Sequence, residues 1–123
     1  MQVTSRIETI GRIYRPWGWY ETLTELSGYK VKCIQVEPQQ QLSLQKHHQR
    51  AEHWIVVQGK AVVTLDDQVL ELLPGQHCDI RIGQVHRLSN PSSSEVVQII
   101  ELQFGAYLGE DDIVRLQDDY GRN

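Results

Sequence analysis

The chain has 123 residues, with 12 Lys or Arg against 16 Asp or Glu, a formal net charge of −4 with histidine neutral. That length makes one domain of ordinary size, expected over residues 1–123, and buries roughly two-thirds of the extended surface around a single core. The acidic balance argues against a domain held to nucleic acid by phosphate contacts, which needs a basic surplus or stripe. A content of 40% hydrophobic and 23% charged residues is that of a folded chain, not a disordered one. No apolar run approaches the roughly 18 residues that cross a bilayer, so no membrane partner is expected. The opening MQVTSRIETIGR lacks the apolar core of a secretion signal, which makes the cytoplasm the expected compartment. Cys33 and Cys78 are read as reduced there.

Period-two patterns and short apolar runs dominate the chain, and helical periodicity is almost absent. Strands are predicted at Tyr20–Leu26, Tyr29–Val36, Leu42–His47, His53–Val57, Ala61–Leu65, Gln68–Leu72, Cys78–Ile82, His86–Ser89 and Val96–Phe104. They are rich in Val, Ile, Leu and Thr. Turn chemistry separates them at Gly28, Pro38, Gln58-Gly59, Asp66-Asp67, Pro74-Gly75, Gly83 and Asn90-Pro91. About nine short strands at such regular spacing indicate an all-β sandwich or barrel. Towards the end, Gly109-Glu-Asp-Asp followed by Ile113, Val114 and Leu116 predicts one short helix with acids in its first turn.

Several polar residues fall where a strand should bury apolar ones. Ser43, Gln45 and His47 share one face of their strand. Glu52 follows five residues after His47, where hairpin pairing sets it beside the imidazole, and His86 opens a later strand. Gln45, His47, Glu52 and His86 offer an amide oxygen, two imidazoles and a carboxylate. That set suits a divalent ion such as Zn²⁺, Fe²⁺, Mn²⁺ or Ni²⁺ with positions left open. Each residue also has a plainer reading. Gln45 is an ordinary strand glutamine, Arg50 pairs with Glu52 or Asp79, and Glu101 pairs with Lys30 or Lys32 across neighbouring strands. His53 faces away from Glu52, His77 is a surface residue, and Glu110-Asp-Asp is a helix-terminal charge cluster. Trp17, Trp19 and Trp54 supply core or interface area, with sugar stacking open to one of them.

The spacing Gln45-x-His47-x4-Glu52-x6-Gly59, then Gly83-x2-His86-x3-Asn90, resembles the paired metal motifs of the cupin superfamily. Gln45 takes the place of the usual first His, and a Gln-x-His start resembles the zinc site of phosphomannose isomerases. Arg15-Pro-Trp-Gly-Trp-Tyr20, Leu42-Ser-Leu-Gln45, Arg50-Ala-Glu-His-Trp-Ile-Val-Val57, His86-Arg-Leu-Ser-Asn-Pro91 and Tyr107-Leu-Gly-Glu-Asp-Asp-Ile-Val-Arg115 resemble the type II mannose-6-phosphate isomerase domain. In that family the domain commonly lies behind a mannose-1-phosphate guanylyltransferase domain, for which 123 residues leave no room. Two positions depart from the family pattern: Lys46 and Gln49 stand where it reads Met and a third His.

The resemblance implies a cupin jelly-roll barrel interconverting mannose 6-phosphate and fructose 6-phosphate, in supply of GDP-mannose and surface polysaccharide. It implies one divalent metal, zinc first with Fe, Mn, Ni or Co as alternatives, on Gln45, His47, Glu52 and His86. The proton moves between C2 and C1 through a cis-enediol, with the metal as Lewis acid. Glu101 is one candidate proton carrier, since burial on an apolar strand face would raise its pKa; His48 and His53 are the others. Arg50 is the expected fixed cation for an oxyanion or the phosphate. Lys46, Arg87, Lys32 and Lys30 are further phosphate candidates. A homodimer is expected, because edge strands of such sandwiches are often covered by pairing. Two other functions stay open: a non-catalytic metal- and sugar-phosphate-binding module partnering a separate nucleotidyltransferase, and an iron-dependent oxygenase of the same fold, against which Gln45 counts.

Overall fold

The computed structural model describes residues 11–121. Its strands are β1 (Arg12–Arg15), β2 (Gly18–Leu26), β3 (Tyr29–Val36), β4 (Gln40–Gln41), β5 (Leu44–Lys46), β6 (Arg50–Gln58), β7 (Ala61–Leu65), β8 (Gln68–Leu72), β9 (His77–Ile80), β10 (His86–Asn90), β11 (Val97–Gly105) and β12 (Val114–Gln117). They form two six-stranded antiparallel sheets. One runs β1-β2-β3-β11-β6-β9; the other runs β12-β5-β10-β7-β8, with β4 also paired to β10. The inner faces share one core, built from Ile34, Val36, Trp54, Val56, Val97 and Ile99 on one side and Ala61, Val63, Leu65 and Leu88 on the other.

The interior is layered, and the layering follows from strand alternation. Along β3 the inward residues are Lys30, Lys32, Ile34 and Val36; along β11 they are Val97, Ile99, Glu101 and Gln103. On β6 they are Arg50, Glu52, Trp54 and Val56. Antiparallel register lines these up: Ile34, Ile99 and Val56 in one row, Lys32, Glu101 and Trp54 in the next, then Lys30, Gln103 and Glu52. One end of the barrel is therefore a hydrocarbon core and the other a buried polar chamber. The backbone closes tightly at the chamber end. A Cβ on Gly105 (φ +158°) would sit 2.2 Å from the Gln49 carbonyl oxygen, so only glycine lets β11 lie against the start of β6.

Three sequence expectations are corrected. The C-terminal helix does not form. Asp112 N–H closes a turn on Gly109 O at 3.2 Å, and β12 then pairs with β5, which would otherwise be an open edge. Ile113 and Arg115 both face the cleft described below, an i, i+2 pattern that belongs to a strand. The predicted strand over Leu42–His47 is shortened to β5, leaving Leu42, Ser43 and His47 outside it. Finally, β1, β4 and β12 had no predicted counterpart, because these short strands are defined by their partners more than by their own composition. Cys33 and Cys78 are free thiols.

Candidate metal centre and adjoining cleft

The end of β5 and strands β6 and β10 bring His47, Glu52 and His86 together, with one ligand atom of each within 4.8 Å of the others. The backbone enforces this. His86 is the register partner of Gln45, and Gly83 N–H donates to His47 O at 2.8 Å, stitching the second motif to the first. His47 Nδ1 lies 2.7 Å from the Asp112 carbonyl oxygen and His86 Nδ1 lies 2.9 Å from that of Gln84. A carbonyl only accepts, so each Nδ1 carries the proton and each Nε2 presents a lone pair. Those lone pairs converge on one carboxylate: His47 Nε2 is 3.3 Å from Glu52 Oε2, and His86 Nε2 is 3.9 Å from Glu52 Oε1.

The arrangement fits a divalent cation. His86 Nε2 is buried with no hydrogen-bond partner among the described residues, a costly state for a polar atom unless a cation takes its lone pair. Burial lowers the His47 pKa to about 4, with Arg50 and His86 contributing and Glu52 opposing. The imidazole is thus neutral at physiological pH, as ligation requires. Two imidazoles and one carboxylate make the three-ligand set of a catalytic zinc site, which keeps a position open. Gln45 stands at the rim. Its Nε2 is 3.4 Å from His47 Nε2 while its Oε1 accepts from Ser43 Oγ at 2.7 Å. A half-turn of the amide would exchange the two atoms and turn the oxygen inward.

Arg50 and Trp54 hold Glu52 from both sides. Arg50 Nε donates to Oε2 at 2.8 Å and Trp54 Nε1 to Oε1 at 2.9 Å, and the same indole N–H reaches Glu101 Oε1 at 2.9 Å. Arg50 Nη2 also points at His47 Nε2, 3.2 Å away. The two carboxyls divide their protons unequally. Burial pushes Glu52 up, but His86, Arg50 and His47 more than reverse it and hold the group well below its ordinary range. Burial, then the neighbouring Glu52 charge, push Glu101 well above the ordinary range against the pull of Lys32 and Arg50. At neutral pH, Glu52 carries the charge and Glu101 holds a proton, with Gln103 Nε2 donating to Glu101 Oε2 at 2.6 Å.

Next to this centre lies a cleft of about 120 Å³. Gln45, Arg50 and Glu101 are shared between the two; Trp17, Tyr20, Ile34, Leu42 and Ile113 form apolar walls. Arg15, Lys32 and Arg115 add positive charge, and Glu110 lies among them. Lys30 and Lys32 do not bond Glu101. Both reach Glu110, at 3.3 and 2.5 Å.

Four of the residues picked from sequence lie elsewhere. The His48 side chain is exposed and it is the residue's backbone N–H that is engaged, by Asp112 Oδ1 at 2.9 Å. Lys46 alternates with Gln45 on β5 and so faces away from the chamber. Arg87 alternates with His86, and its guanidinium donates to Leu42 O at 2.9 Å and ties β10 to the C-terminal segment through Gln117 Oε1 and Gln117 O at 3.2 and 3.1 Å. His53 also points outward, bonded to Asp79 and stacked on His77. Sequence reading missed Asp112, whose carboxylate accepts from both His48 N–H and Gln49 N–H at 2.9 Å while its carbonyl orients His47. Nothing local marks an acid 65 residues from its partner. Trp54 lies in the core, as its composition implies; its indole donation to Glu52 was missed, and its position two residues after Glu52 on the same strand face was the available signal.

A family model described as mannose-6-phosphate isomerase C-terminal matches residues 3–118. The chain belongs to that family. Among its relatives, the xanthan biosynthesis protein XanB of Xanthomonas campestris pv. campestris is 49% identical over 98% of this chain and 27% of its own length. The alginate biosynthesis protein AlgA of Pseudomonas aeruginosa is 54% identical over 89% of this chain and 23% of its own. The chain thus spans about a quarter of the length of these curated relatives. The fold is that of the cupins: the Schizosaccharomyces pombe Cnp3 cupin domain superposes with a TM-score of 0.67 at 11% identity, over 71% of this chain and 64% of that one.

Proposed function

We propose that the chain is a metal-dependent aldose–ketose isomerase interconverting mannose 6-phosphate and fructose 6-phosphate in the cytoplasm. Its product would feed GDP-mannose and polysaccharide synthesis. The carrying observation is the pair of Nδ1-pinned imidazoles facing one buried carboxylate, beside a cleft that holds a second, protonated carboxyl and several cations. Family membership and the xanthan and alginate relatives support the same reading.

A divalent ion on His47, Glu52, His86 and Gln45 would polarise the sugar's carbonyl oxygen and favour the enediolate. Every other requirement falls to side chains. Glu101 borders the cleft, and its raised pKa brings the carboxyl toward the operating pH, where a proton carrier works best. In its ionised form it takes the C2 proton of the open-chain aldose and returns it to C1 while the O2 hydroxyl proton passes to O1, so the carboxyl ends as it began. Arg50, fixed by Glu52, lies beside the charge that develops on the enediolate oxygens. The apolar wall of Trp17, Tyr20, Ile34 and Leu42 limits water at the reacting carbons. The protein would act as a homodimer.

The test is a coupled assay for fructose 6-phosphate, using protein stripped of metal and reloaded with zinc, cobalt, manganese, nickel or iron. Turnover that needs the metal and falls at least a hundredfold in Glu101→Gln is expected. Binding of mannose 6-phosphate without turnover under any metal would overturn the isomerase reading in favour of a binding module.

A further inference from the structure

Beside the metal centre, β3 buries two ammonium groups. The side chains of Lys30 and Lys32 are 7% and 5% exposed, a state that is costly unless an anion and hydrogen bonds accompany it. The anion that both contact is Glu110. One of its oxygens, Oε2, lies 2.5 Å from Lys32 Nζ and 3.3 Å from Lys30 Nζ. Lys30 also donates to Leu108 O at 2.8 Å and has Glu25 Oε2 at 4.0 Å, and Lys32 Nζ stands 4.2 Å over the Tyr20 ring. The other carboxyls of the chamber are engaged: Glu52 with Arg50, Glu101 with Trp54 and Gln103.

Glu110 differs from its partners in one respect. Its side chain is 51% exposed, and it borders the cleft. The turn that carries it is braced without it. Asp112 N–H and Ile113 N–H bond Gly109 O and Asp111 O at 3.2 and 2.9 Å, the Tyr107 hydroxyl donates to Asp111 Oδ1 at 2.5 Å, and Asp112 clamps the backbone of residues 48 and 49. The Glu110 carboxylate can therefore rotate into water about its own side-chain torsions while the turn stays in place.

We infer that Lys30 and Lys32 form the subsite for the substrate's phosphate monoester, and that Glu110 occupies it at rest as an internal anion that the phosphate displaces. The inference rests on the sugar-phosphate reading above. A carboxylate offers two oxygens and one charge. A phosphate monoester offers three oxygens and nearly two charges, so it satisfies two ammonium groups better and still faces Arg15, Arg50 and Arg115 across the cleft. Glu110 then sets the affinity: it keeps the lysines paired between turnovers, rejects singly charged anions and hastens product release.

Calorimetric titration of the whole metal-loaded protein with orthophosphate, mannose 6-phosphate and mannose tests this. Glu110→Gln is expected to bind both phosphates about tenfold tighter with mannose unchanged, and Glu110→Asp to fall between it and the parent. Lys30→Met and Lys32→Met should each lose most of the phosphate affinity, with melting temperature confirming that each variant folds. Unchanged or weaker phosphate binding in both Glu110 variants would overturn the inference, as would orthophosphate binding that survives both lysine changes. The two readings fail differently. Absent turnover with the Glu110 effect intact removes the isomerase alone, and normal turnover with phosphate affinity indifferent to Glu110 removes this inference alone.

Discussion

His47 and His86 are fitted to act as ligands by the nitrogens that face away from the cluster. With Nδ1 held by a backbone carbonyl on each ring, the tautomer and the ring angle are both set before any cation arrives. His86→Ala should therefore abolish stoichiometric metal binding while leaving the fold in place, read by elemental analysis after gel filtration; full occupancy in this variant would rule out the site. Trp54 does a different job, because one indole N–H serves two buried carboxyls. Trp54→Phe keeps most of the volume and removes that donor, leaving acceptors short of a partner. Such a loss costs about 1–3 kcal/mol, so the midpoint of urea unfolding should drop correspondingly while metal stoichiometry is kept.

At the scale of the strand, alternation made much of the site legible. The pattern Ile99-x-Glu101-x-Gln103 places a carboxyl and an amide on the face that carries Ile99, and Gln45-x-His47 with Glu52 reads as one polar patch. What alternation cannot supply is the partner of a residue across the fold. Lys30 and Lys32 meet Glu110 rather than Glu101, their neighbour on β11, because the turn at Gly109–Asp112 enters the chamber mouth. The same turn was read as a helix start, since acids followed by Ile, Val and Leu fit either structure until β5 supplies an edge to pair with. Asp112 is the residue through which that segment acts on the metal motif. Asp112→Ala frees the N–H groups of His48 and Gln49 and loosens the carbonyl that orients His47. Zinc affinity should fall about tenfold to a hundredfold, measured by competition with a chromophoric chelator. Asp112→Asn, which keeps one acceptor oxygen, should recover part of it. Equal affinity in parent and Asp112→Ala would show that β5 alone positions His47.

For the whole molecule, the net charge of −4 says little about stability compared with two buried groups that titrate in opposite directions. His47 has its folded pKa lowered from 6.5 to about 4 by burial. The unfolded chain therefore takes up that proton first, and stability of the metal-free protein is lost as pH falls from 6.5 towards 4. Glu52, also lowered, adds loss below its ordinary 4.5. Glu101 runs the other way. Burial and the Glu52 charge raise it from 4.5 to about 8, so its contribution is whole below 4.5 and disappears as pH rises to 8. The metal-free fold should be most stable between these flanks and weaken on both sides. Glu101→Gln retains a neutral donor and acceptor and cannot ionise. Chemical denaturation in EDTA at pH 5 and pH 8 should show the parent losing on the order of 2 kcal/mol across that interval, whereas Glu101→Gln, left with the His47 and Glu52 titrations, should gain stability over it and overtake the parent at pH 8. Parallel pH profiles for the two proteins would mean that Glu101 is ionised in the native chamber, and the proton carrier would then have to be sought among other residues.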